Sequence, residues 1–153
     1  MNFKSLINKC LEFLVNRLVE LSAIVLICTS LLLFVSLLSY SPEDPNFIFP
    51  DNSEIKNLLG YRGSFIADFF YQSIGLISLL LCFTFFFTGI IIFNKKIISL
   101  IFANLFYSMI YILIGSIFFN TFYPDSFWLI NNGNGGFVGK YLSDSFLNSI
   151  INL

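Results

Sequence analysis

The stretch Leu37-Leu38-Ser39-Tyr40-Ser41-Pro42-Glu43-Asp44-Pro45 decides how this chain is read. Upstream of it, from Leu21 to Pro42, no residue carries a charge; then Glu43 and Asp44 arrive together, bracketed by prolines. Proline has no amide hydrogen and turns its predecessor away from helical geometry, so Ser41-Pro42 marks a helix end. Tyr40 stands where a phenol rests at a membrane surface. The stretch reads as a transmembrane helix meeting water.

The totals agree. Of 153 residues, 57% are apolar and 11% charged, and mean hydropathy is +0.85. A soluble domain carries about 25% charged residues. The expected class is therefore an all-α integral membrane protein. No basic patch invites nucleic acid. The chain has no histidine, so imidazole acid–base chemistry and imidazole metal ligation are excluded. Cys10, Cys28 and Cys82 lack metal-type spacing and read as separate thiols in or near the bilayer.

Residues 1–17 hold Lys4, Lys9 and Arg17 among apolar residues, and predict a cytoplasmic basic amphipathic helix at the interface. Residues 18–153 form the membrane domain. Its spans are expected at about 18–40, 70–93 and 97–119, with outer loops at 41–69 and 120–146 and an incomplete fourth span over 147–153. Helix two is predicted to start near Ser64 and run unbroken to Phe93. Thirty residues make about 45 Å, more than the hydrocarbon, so its first turns should lie in the headgroups. Gly75, Gly89, Gly115 and Ser116 read as close-packing positions, and Asn104 as an interhelical hydrogen bonder. Tyr123, Pro124 and Trp128 read as interface residues. Basic residues concentrate in the amino-terminal segment and at Lys95-Lys96, which places both inside and the long loops outside.

The chain also repeats. Gly60 to Ile74 and Gly136 to Ile150 share six of 15 residues at an offset of 76, including Gly60/Gly136, Gly63/Gly139 and Asp68/Asp144. Each unit is an outgoing helix, an outer loop, a G-x-x-G turn, an interfacial helical segment with Asp in its early turns and a returning helix, and both units start inside, so the repeat is parallel. Glycine permits the turn, and each aspartate is expected to cap the positive end of its helix. The second unit stops before its returning helix could cross, so a longer protein is expected.

These features resemble the four-helix membrane domain of the FtsK/SpoIIIE DNA translocases. The resemblance rests on the Tyr40, Pro42, Asp44, Pro45 pattern closing helix one and on the glycine–aspartate stretch opening helix two, with Ser64 where the family pattern has alanine. It implies a membrane anchor for a hexameric, ATP-driven DNA pump at the division septum of a bacterial inner membrane. It further implies a homo-oligomer and division-protein partners beside the lipid. The motor would lie downstream: Gly139-Lys140-Tyr141 lacks the Ser or Thr of a phosphate-binding loop. This segment is accordingly expected to be no enzyme, to hold no cofactor or metal and to bind no nucleic acid directly. Two other readings stand beside it. One is a transporter or channel subunit built from parallel repeats, with Asp68 and Asp144 as a proton pair. The other is a division scaffold without a motor.

Overall fold

The computed structural model describes residues 3–45, 54–125, 129 and 132–151. Five helices follow one another: α1 (Phe3–Leu38), α2 (Gly60–Ile74), α3 (Ser78–Lys95), α4 (Ser99–Phe122) and α5 (Gly136–Ile151). A single 3-10 turn, Gly75–Ile77, separates α2 from α3. Ile7–Leu38, Gly60–Lys95 and Ser99–Phe122 are each long and apolar enough to cross a bilayer. No strand occurs among the described residues. The protein is an all-helical integral membrane protein.

The chief packing pairs are α1 with α3 and α4 with α5. Small residues set the first contact: a Cβ at Gly89 would stand 3.0 Å from the Ala23 carbonyl oxygen. Van der Waals approach of this kind holds helices together where the solvent is itself apolar. Polar side chains add to it. Asn104 Nδ2 donates to Thr88 Oγ1 at 2.6 Å, and the Tyr111 hydroxyl donates to Thr84 Oγ1 at 3.0 Å. The interhelical role expected for Asn104 is thus observed. Phe102, Phe106 and Met109 on α4 remain exposed, as a lipid-facing helix requires.

One end of the bundle holds the α3–α4 turn, where Lys96 adopts φ 57° and closes α3. Its ammonium meets Glu20 Oε1 of α1 at 2.6 Å, and Arg17 pairs with the same carboxylate. The opposite end, here the loop end, holds both long loops and the starts of α2 and α5.

Three expectations change on this backbone. The 1–17 segment is no separate helix; from Phe3 onward it is continuous with the first span, because residues 3–17 hold no glycine or proline to break it. Helix two begins at Gly60, earlier than Ser64, and breaks where an unbroken helix was expected. The break sits at Gly75, whose φ of 68° does not continue an α-helix. Asp68 and Asp144 do not cap. Each lies in the third turn of its helix, beyond reach of the free amides at the start. Trp128 lies outside the described residues.

Candidate functional site

The loop end is where the sequence-selected residues gather, and two locks form there. The first is built from the end of α1. Ser41, Pro42, Glu43 and Asp44 make a turn, with the Asp44 amide donating to the Ser41 carbonyl at 3.2 Å. Proline at the second position presets that geometry. The turn delivers Asp44 into the protein, where only 5% of its surface stays exposed. Its two carboxylate oxygens accept the amides of Lys56 and Asn57 at 2.8 and 2.9 Å. A buried carboxylate is tolerable because it is so bonded.

Asn57, which the sequence did not single out, completes this lock. Its Nδ2 donates to the Ser36 carbonyl at 2.9 Å and the Ser39 carbonyl at 3.3 Å. Ser36 lies in the last turn of α1 and Ser39 directly follows it, where carbonyls lack partners within the helix. Asn57 Oδ1 accepts the Leu59 amide at 3.0 Å, and Ser39 Oγ accepts the Leu58 amide at 3.1 Å. The loop thereby caps α1 from a distance of some twenty residues. Above it, Ser64 Oγ donates to the Pro45 carbonyl at 3.1 Å. At the surface, Lys56 forms an ion pair with Glu43. The hydrogen bond and charge of that pair hold the Glu43 carboxyl below, and the Lys56 ammonium above, its ordinary range.

Tyr40 joins α1 to α2. Its hydroxyl donates to Asp68 Oδ1 at 3.0 Å, and its ring lies 5.0 Å from that of Tyr71. Tyr71 is fully buried and donates to the Leu37 carbonyl at 3.1 Å. Gln72 Nε2 also reaches Asp68 Oδ1, at 3.4 Å. Asp68 is therefore an acceptor for Tyr40, a residue 28 positions away.

The second lock is made by the other loop. Residues 132–136 dock into the break between α2 and α3. The Asn134 carbonyl accepts the Leu76 amide at 2.9 Å, and Ser116 Oγ of α4 donates to the Ile74 carbonyl at 3.0 Å. Groups freed by the broken helix are thus satisfied by the second unit. Gly136, φ 65°, lies directly on this break: a Cβ there would be 2.5 Å from the Gly75 nitrogen and 2.8 Å from the Ile74 carbonyl carbon. Asn132 Nδ2 donates to Gln72 Oε1 at 3.0 Å and to its carbonyl at 3.2 Å. Asn134 Nδ2 ties Tyr123 and Asp125 through their carbonyls, at 2.9 and 3.0 Å. Leu129 is buried in the core with Leu37, Ala67, Tyr71 and Cys82.

The two G-x-x-G turns use their glycines for the same two purposes in different surroundings: a Cβ at Gly60 would meet open space, one at Gly136 backbone. Gly60 and Gly136 supply positive φ at the helix start, 66° and 65°. Gly63 and Gly139 supply close approach: Gly139 lies against the Ser116 carbonyl, and Gly63 against Asn57 and Leu59. Ser36 Oγ bonds the Gly63 carbonyl at 2.6 Å, and Asn120 Nδ2 bonds Ser143 Oγ at 2.6 Å.

Chemically, this site holds backbone in place. Tyr40, Asp44, Pro45, Gly60, Gly63, Asp68, Gly136 and Gly139 all take part in ties or close contacts, and Pro42 shapes the turn. Asp144 is exposed on α5, and no hydrogen bond joins it to Asp68 among the described residues. No group of three or more potential metal ligands occurs among the described residues. The signal that could have found Asn134 is the run Asn131-Asn132-Gly133-Asn134-Gly135-Gly136, dense in residues that tolerate left-handed turns and bond backbone.

Comparison with known proteins extends these observations. The family described as the 4TM region of DNA translocase FtsK/SpoIIIE matches residues 15–153. A DNA translocase FtsK from Rhizobium meliloti (strain 1021) is 34% identical over 67 residues, which make up 44% of this chain and 8% of that protein. The chain thus corresponds to a small part of this relative's length. No solved structure matches. With three apolar helices of spanning length and the family match running over nearly all of the sequence, the chain belongs to the 4TM-region family of FtsK/SpoIIIE DNA translocases.

Proposed function

We propose that this segment anchors a DNA translocase motor in the inner membrane of a bacterium, at the division septum, and so couples chromosome segregation to division. The observation that carries the reading is the construction of the loop end. Its polar side chains are spent on backbone ties, within the first unit through Asp44 and Asn57 and between the two units through Ser116 and Asn132, and helix contacts rest on glycine. A bundle so fastened transmits position and load.

In this reading the amino terminus and the α3–α4 turn face the cytoplasm, in keeping with their lysines and arginine. The locked loop end faces outward, where division proteins can reach it. The motor is carried on the remainder of a longer protein, assembles as a hexamer and performs the ATP hydrolysis and DNA contact. The membrane segment itself contributes no catalytic group. The interhelical polar groups favour an anchor over a transporter, since Asn104, Thr88, Tyr111 and Thr84 bond one another.

The test has two parts. An antibody against residues 41–62 should detect a native polypeptide several times larger than 17.5 kDa. A fluorescent fusion to residues 1–153 should collect at septa. A uniform membrane distribution, with normal chromosome segregation in cells lacking this segment, would overturn the proposal.

A further inference from the structure

Residues 64–94 hold no proline, and Gly75 and Gly89 are their only glycines. Gly89 sits inside α3 without interrupting it, so glycine alone does not stop a helix in this chain. The groups around the break identify what does. A continuous helix would pair the Leu76 amide with the Gln72 carbonyl and the Ser78 amide with the Ile74 carbonyl. In the structure the second unit takes those places. The Leu76 amide donates to the Asn134 carbonyl at 2.9 Å, Asn132 Nδ2 donates to the Gln72 carbonyl at 3.2 Å, and Ser116 Oγ donates to the Ile74 carbonyl at 3.0 Å. The Ser78 amide turns instead to the nearer carbonyls of Gly75 and Leu76.

The exchange of partners is incomplete. Ser78 Oγ is buried and has no hydrogen-bond partner among the described residues, and the same is true of Asn134 Oδ1. A buried polar atom without a partner is costly and rare. A helical serine or threonine can reach back to the carbonyl four residues earlier, as Thr84 and Thr88 do on the same helix. For Ser78 that carbonyl belongs to Ile74, which the break has turned toward Ser116. In a continuous helix Ser78 Oγ would have its acceptor, and Asn134 on a withdrawn loop would be open to water. The two stranded atoms therefore mark the broken arrangement as one of two that this segment can take.

We infer that the α2–α3 junction is a two-state joint, with residues 132–136 as its strap. Docked, the strap breaks the helix at Gly75. Withdrawn, it lets residues 60–95 run as one helix, in which the Leu76 and Ser78 amides return to the carbonyls of Gln72 and Ile74. Gly75 serves both states, since glycine takes a φ of 68° as readily as a helical one. The consequence lies at the far end of α3. A single helix of 36 residues is about 54 Å long, more than the hydrocarbon, so straightening tilts or shifts α3. That helix ends at Lys95, and the next residue, Lys96, meets Glu20 of α1 at 2.6 Å. The state of the strap is thereby carried from the loop end to the α3–α4 turn. The joint does not depend on the motor-anchor reading.

Spin-label distances test it. Ile66 and Phe87, both exposed, are replaced by labelled cysteines in a chain whose Cys10, Cys28 and Cys82 have been changed to alanine, held in lipid nanodiscs. In one continuous helix those backbone positions stand about 32 Å apart, and a break brings them closer. The parent chain should give a main distance below that value and a minor one near it. Ser116→Ala with Asn132→Ala frees the Ile74 and Gln72 carbonyls, and should raise the ratio of long to short distance about fivefold or more. Ser78→Ala removes the stranded hydroxyl, and should lower that ratio about threefold. A single distance in all three chains would overturn the joint, since the break would then belong to Gly75 alone. So would a shift of the same sign in both variants. If circular dichroism shows the double variant unfolded, Ser78→Ala decides by itself: a fall in the ratio supports the joint, and a rise or no change overturns it.

Discussion

The two loops at one end of the bundle each lead into a helix that opens with a G-x-x-G-x-x-x-x-D sequence, and they are fastened by different means. In the first unit a side chain does the fastening: the Asp44 carboxylate takes two backbone amides, and the Asn57 amide takes two helix-end carbonyls. In the second unit backbone also meets backbone, with the Asn134 carbonyl on the Leu76 amide and Gly136 seated on Gly75, beside the side-chain ties of Ser116 and Asn132. The first lock closes a loop onto its own helix. The second joins one unit to the other. Equivalent glycines therefore stand in unequal settings. Gly60 has open space around its Cβ direction, whereas Gly136 has backbone there.

That inequality is the sharpest point at which to break the comparison. Gly136→Ala should destabilise the bundle by about 3–5 kcal/mol, since a left-handed backbone and a backbone collision add together. Gly60→Ala meets only the left-handed penalty, about 1–2 kcal/mol. Thermal unfolding in detergent micelles would compare them, and equal losses would mean the two turns are interchangeable. Next in size, Asp44→Ala leaves two amides of the first lock without acceptors. A loss of about 2–4 kcal/mol is expected, with faster hydrogen exchange confined to residues 56 and 57. Exchange that also rises at Leu76 would show the locks to be one cooperative unit. The smallest effect belongs to Tyr40→Phe, which keeps the ring contact with Tyr71 and removes one hydrogen bond to Asp68. About 1 kcal/mol should be lost; no change in the melting temperature would reduce that tie to a surface contact.

The spans were legible from hydropathy because lipid forces long uncharged runs, and the runs end where charges begin. Helix two carried its own warning: thirty residues were too many for the bilayer, and the chain resolves the excess by breaking at Gly75. The capping role expected of Asp68 failed for a local reason. The glycine turn was placed ahead of the helix, whereas Gly60 already belongs to it, which moves Asp68 to the third turn. Asn57 was invisible because an asparagine in a polar loop looks the same whether it faces water or a helix end, and Asn134 was marked only by the Asn/Gly run around it.

What the sequence determined by itself is the solvent and the repeat. Apolar run length, the charge step after Pro42 and the 76-residue offset all follow from composition along the chain, and these need no tertiary contact to read. The tertiary structure decided which groups meet: Tyr40 with Asp68, Asp44 with the amides of Lys56 and Asn57, and the second loop with the break at Gly75. Those hydrogen bonds join residues 12 to 58 positions apart. They are made by the need of each buried amide and carbonyl for a partner, and which partner comes within reach is settled only when the helices have packed.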